Sequence, residues 1–143
     1  MANLGNWFMS WILRTPFHRL LSENVLLISV TGRKSGREYA LPVNYQRAGD
    51  EIWITSRRER TWWRNLRGGA PVKLRLAGKM LRGRGEVFEE DVRVAKYMAE
   101  FLQRSPSLAR YFGVGLDSEG KLRGEDVARA ALERVMVRVK ILD

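Results

Sequence analysis

Residues 25–46 read VLLISVTGRKSGREYALPVNYQ, and the spacing within them decides the fold. Val25 to Thr31 are apolar and rich in β-branched side chains, the composition of a buried strand. Gly32 and Gly36 bracket a turn. Beyond it Tyr39, Leu41, Val43 and Tyr45 alternate with Ala40, Pro42, Asn44 and Gln46, a period of two that marks a second strand paired as a hairpin.

The same reading extends outward. Arg47 to Asp50 form a polar turn into a third strand at Ile52 to Thr55, and Thr61 to Arg67 predict a short helix ended by Gly68-Gly69. Val72 to Leu76 and Met80 to Phe88 are two more strands joined at Gly78. From Glu90 to Gln103 the period becomes helical, with Val94, Tyr97, Met98, Phe101 and Leu102 on one side; further helical pieces run from Pro106 to Phe112 and from Gly124 to Glu133. Val135, Val137, Val139 and Ile141 then alternate with Met136, Arg138 and Lys140, a closing strand over 134–142. The pattern predicts one α+β domain over 1–143: a six-stranded antiparallel β-barrel, which hides its strand edges, with strands over 25–89, a helical section over 90–133 and an N-terminal helix over 1–22.

That first helix is expected from Leu4, Trp7, Phe8, Trp11 and Ile12, with Pro16 ending or kinking it. The cluster is shorter than the roughly 20 apolar residues that span a bilayer, and it lacks a basic leader and cleavage site. Its tryptophans suit packing on a core, a lid on an apolar pocket or a membrane interface, so a peripheral membrane contact joins a cytoplasmic location among the expectations.

Charge narrows the partner. The chain has 26 Lys+Arg against 16 Asp+Glu, a net +10. Between Thr31 and Arg84 there are 14 basic and 4 acidic residues, while the remainder holds 12 of each, so the whole excess lies in one stretch. Such localisation points to an anionic partner, against the plainer reading of a solvated basic face. Absence of cysteine removes thiolate chemistry and thiolate metal sites, and His18 as the lone histidine excludes multi-histidine metal centres, so no metal is expected.

Two segments concentrate the cations. Thr31 to Arg37, TGRKSGR, lacks the first glycine of a nucleotide-hydrolysing phosphate loop and is followed by a strand period, not a helix. It still offers backbone N–H groups, a hydroxyl and three cations at a strand end, either an anion clamp or a solvated hairpin tip. Ser56 to Leu66, SRRERTWWRNL, interleaves arginines with two tryptophans, one expected in the core and the other facing a ligand.

Taken together, VLLISVTGRKSGREYALPVNY, the strand ending in ITSR, and TWWRNLRGGAPVKLRL resemble the deazaflavin-dependent nitroreductase family, whose members are split β-barrels related to flavin-binding pyridoxine-phosphate oxidases. The resemblance covers Val25 to Phe88 well and the helical tail loosely. It implies coenzyme F-420 as cofactor, with FMN as the alternative known in the wider superfamily, and a homodimer. Residue by residue it implies that Arg33, Lys34 and Ser35 meet the cofactor phosphate and that Arg37 reaches its acidic tail. Pro42, Val43 and Asn44 would run beside the ring; Ser56 and Arg57 match a Ser-Lys pair whose serine helps protonate the product. Trp62, Asn65 and Leu66 match a W-x-x-N-L element walling the cofactor site, and Tyr111 matches a pocket tyrosine. Arg58-Glu59-Arg60 replaces a longer family loop and keeps its positive charge. Ser105 and Leu108 stand where some relatives have tyrosines, so nitroimidazole reduction is not carried over.

The expected function is hydride transfer from reduced F-420 to a small electron-poor acceptor, a quinone, enone or nitro compound. Poverty in histidine and cysteine fits, because the cofactor carries the reactive atom. A non-catalytic binder of an apolar carboxylate such as a fatty acid, or a membrane-surface protein, is the alternative from another class. Nucleic acid is not expected, since the sequence lacks its module signatures.

Overall fold

The computed structural model describes residues 25–142; the helix expected over 1–22 lies outside them. Six antiparallel strands form a closed barrel: β1 (Val25–Thr31), β2 (Glu38–Ala48), β3 (Glu51–Arg57), β4 (Ala70–Leu76), β5 (Lys79–Phe88) and β6 (Arg134–Ile141), in the order β1-β2-β3-β6-β5-β4. Between β5 and β6 come α1 (Asp91–Arg104), a 3-10 segment (Pro106–Phe112) and α2 (Gly124–Ala131). The six-strand α+β barrel read from periodicity is therefore the observed architecture. Residues Thr61 to Arg67 make only a 3-10 turn, Trp62–Leu66, and no side-chain cap starts it.

Register follows the sequence pattern. Leu26, Ile28 and Val30 of β1 stand opposite Val43, Leu41 and Tyr39 of β2, and Ile28 opposite Leu74 of β4, so one face of each strand supplies the barrel interior. Pro42 and Asn44 are exposed while Val43 between them is buried, as alternation requires. Parts of β1, β3 and β6 depart from that rule: residues 26–28, 52–56 and 135–137 are buried without a break, so these stretches are covered on both faces. At Gly83 of β5 an added Cβ would lie 2.5 Å from a Val139 methyl and 2.8 Å from the Lys140 carbonyl oxygen, which is why no side chain stands there.

Contacts divide the chain into two compact units. One holds the strands through Ile54, then Thr61–Val87 and the chain from Val137; the other holds Thr55–Arg60 and Phe88–Met136. The second has its own apolar centre, with Val94, Met98, Phe101 and Leu102 of α1 buried along with Val127, Ala130 and Ala131 of α2. Each large side chain so buried stabilises by about 1.5–3 kcal/mol.

Candidate functional site

In the first unit the β1–β2 turn is drawn tight by Gly32 N donating to the Arg37 carbonyl at 2.8 Å and Gly36 N donating to the Gly32 carbonyl at 2.7 Å. Gly36 adopts a φ of +70°, open to glycine at little strain. A Cβ on Gly32 would come within 2.7 Å of Ser35 Oγ, which accepts the Arg37 main-chain N–H at 3.2 Å. Ser35 is thus occupied in shaping its own turn.

Asn65 ties this turn to the Trp62–Leu66 segment. Its Oδ1 accepts from Arg33 N at 3.0 Å, and its Nδ2 donates to Tyr39 Oη at 2.9 Å and to the Trp62 carbonyl at 3.0 Å. The Arg33 guanidinium is hydrogen-bonded to the Arg67 carbonyl. Arg64 and Arg67 lie over the Trp63 ring, their guanidinium carbons 5.6 and 5.3 Å from its centre. A cavity of about 620 Å³ results, lined by Arg33, Lys34, Ser35, Thr61, Arg64 and Arg67 together with Gly32, Tyr39 and Asn65. Four cations and three hydroxyls surround it, and no carboxylate lines it. Lys34 makes no ion pair among the described residues.

Other residues named from sequence take different places. Trp62 and Trp63 are 4% and 3% exposed, so the expectation that one ring faces a ligand is not met: the turn buries both, and the arginines over Trp63 take the surface. Leu66 is fully buried and packs within 3.5 Å of the space beside Gly85, which makes it a support of the cavity and not part of its wall. Arg37 is exposed at the turn.

The second unit gathers Arg57, Arg58 and Tyr111 around a separate cavity of about 560 Å³, with Phe112, Glu133 and Arg134. β3 delivers Arg57 and the following turn delivers Arg58, whose N–H donates to the Glu133 carbonyl at 2.9 Å. Arg57 pairs with Glu59 at 3.1 Å and Arg58 with Asp91 at 2.8 Å. Ser56 is buried, and its Oγ donates to the Arg57 carbonyl at 3.2 Å. Thr55 Oγ1 likewise donates to the Val135 carbonyl at 3.2 Å. Tyr111 is 83% exposed. Arg60 is exposed in the turn after Arg58.

Sequence reasoning missed Arg134. It opens β6 far along the chain from Arg57, and only strand pairing brings it to this cavity; the sole local signal is an arginine heading an otherwise apolar alternation. Its guanidinium carbon lies 4.3 Å from the centre of the Phe112 ring. Burial, and after it the neighbouring charge of Arg57, pulls its pKa below the ordinary arginine value, which an arginine tolerates while remaining charged.

Comparison with known proteins agrees with this architecture. Among solved structures the chain is similar to an F420 reductase (13% identity, 90% of this chain and 95% of that one, TM-score 0.50). It is also similar to a putative pyridoxamine 5'-phosphate oxidase from Listeria innocua (11%, 88% and 91%, 0.55). A third is an FAD and heme binding protein from Mycobacterium smegmatis (17%, 87% and 66%, 0.51). At such identities these likenesses show the fold. No curated protein matches. The model of the F420H(2)-dependent quinone reductase family matches residues 14–114, more than half of the chain and including the β1–β2 turn, Asn65 and Tyr111. The chain belongs to the F420H(2)-dependent quinone reductase family.

Proposed function

We propose that this protein binds reduced coenzyme F-420 and reduces an electron-poor acceptor of the quinone, enone or nitro class. The observation that carries the reading is the first unit's cavity, whose lining is cationic without a single carboxylate. A cofactor with a phosphodiester and a carboxylate-rich tail requires such a lining, and charge-assisted bonds to those oxygens are among the strongest hydrogen bonds available. When bound, the reduced deazaflavin supplies the hydride.

The chain's own residues would then bind, orient and protect. Arg33 and Lys34 would meet the phosphate, with Arg33 held in place by Asn65 and by the Arg67 carbonyl, so that little ordering remains to be done on binding. Arg64 and Arg67, fixed over Trp63, would add charge for the acidic tail. In the second unit Tyr111 presents an exposed phenol, and Ser56 holds the end of β3 through its bond to the Arg57 carbonyl.

Titration of the purified protein with oxidised F-420, followed by the cofactor's fluorescence, tests the reading, with FMN titrated in parallel. Saturation at micromolar F-420 is expected. Tighter binding of FMN, or no saturation with F-420, would overturn it.

A further inference from the structure

Three arginines and two carboxylates, Glu59 and Glu133, line the cavity of the second unit, and one of those cations lacks an ion-pair partner among the described residues. Arg57 and Arg58 each have a carboxylate partner, Glu59 and Asp91. Arg134 has none at ion-pair distance: among the described residues it makes no ion pair or hydrogen bond, it stacks on Phe112 at 4.3 Å, and the charge of Glu133 reaches it only from farther off. Glu133, adjacent in sequence and exposed, offsets part of that charge without pairing with it, and Glu59 is taken up by Arg57. A guanidinium partly removed from water beside other arginines raises the potential of the cavity it lines, and that potential falls most when an anion enters.

The shape adds a second requirement. Arg134 and Phe112 present stacked planar groups, and Tyr111 and the small side chain of Ala130 line the same cavity. A volume near 560 Å³ holds a molecule of one or two fused rings. We propose that this cavity is a binding site for a planar aromatic carboxylate, its carboxylate on Arg134 and its rings against Phe112 and Tyr111. Aliphatic carboxylates satisfy the charge but leave the aromatic wall unused. This binding is independent of the proposed function, so the experiment uses protein without cofactor and the two can fail separately.

Isothermal titration of the full chain with 2-naphthoate, 2-naphthalenemethanol and glutarate is the test. Binding of 2-naphthoate about tenfold or more tighter than either of the others is expected, since a hydrogen-bonded charge pair and an aromatic contact each contribute about that much. Arg134→Gln should remove the preference for the carboxylate, and Phe112→Leu the preference for the aromatic ligand, with thermal melts confirming that each variant is folded. Equal affinity for 2-naphthoate and its neutral alcohol in the unaltered protein would overturn the proposal without reference to any variant. Tighter binding of glutarate would also overturn it, and would assign the site to an acidic tail instead. So would 2-naphthoate affinity unchanged in a folded Arg134→Gln protein.

Discussion

Asn65 holds Arg33 by its backbone, not its charge: the carboxamide oxygen accepts the Arg33 N–H at 3.0 Å while the same amide's nitrogen reaches Tyr39 Oη and the Trp62 carbonyl. One side chain therefore sets where the cations of the β1–β2 turn stand. Asn65→Ala should lower stability by about 1–3 kcal/mol, by leaving partly buried polar groups unmatched, and should weaken F-420 binding as well. Urea unfolding and fluorescence titration on the same preparation measure both; a loss of stability with unchanged affinity would separate the clamp from the site.

Lys34→Ala should weaken F-420 binding about tenfold at low salt, with the difference shrinking as salt is added, because the interaction is exposed and screened. Its melting temperature should stay within about 1–2 °C of the parent, since Lys34 supports nothing in the fold. Affinity measured at two salt concentrations checks this.

Gly83→Ala should destabilise by about 1–3 kcal/mol or prevent folding, because its Cβ meets the Val139 methyl and the Lys140 carbonyl at distances that side-chain rotation cannot relieve. Gly85→Ala meets only flexible Leu66 and Val72 methyls at 3.3–3.5 Å and should be far milder. Comparison of the two by chemical denaturation reads the tightness of the β5–β6 seam.

Gly32→Ala is predicted to disturb the turn through Ser35 Oγ, the atom 2.7 Å from the new methyl. Removing that atom should help: the Gly32→Ala, Ser35→Ala double variant should be more stable than the sum of the single changes implies. A double-mutant cycle in urea provides the coupling.

Asp126 gives the fold an acid limit. Its Oδ2 accepts from Gly115 N at 2.9 Å and its Oδ1 from Arg129 at 2.8 Å. The bond from Gly115 N, more than any other influence, holds its pKa below the ordinary 3.8. A depressed folded-state value means that the stabilisation is fully present above the unfolded value and fades as pH falls through the folded one. Asp126→Asn should therefore flatten the loss of stability below about pH 4, seen in unfolding midpoints across that range.

Strands were legible in the sequence by two signals: β1 through its apolar, β-branched run, and β2 through an alternation that buries Val43 between exposed Pro42 and Asn44. Met136 breaks the pattern because its strand is covered on both sides, which period two does not encode. The cations of the β1–β2 turn were visible as a run. Asn65 was visible as a motif residue, and the structure adds that it holds the turn while lining the cavity. Arg134 was hidden, because its meaning depends on its contact with Phe112 and on having no ion-pair partner among the described residues.

The two units trade the chain back and forth, with crossings after Ile54, Arg60, Val87 and Met136. Neither is an uninterrupted length of polypeptide, so neither can be excised, transplanted or duplicated as a cassette. New preferences in the Arg134 cavity must come by single substitutions in place, while the cationic turn of the other unit remains free to stay as it is.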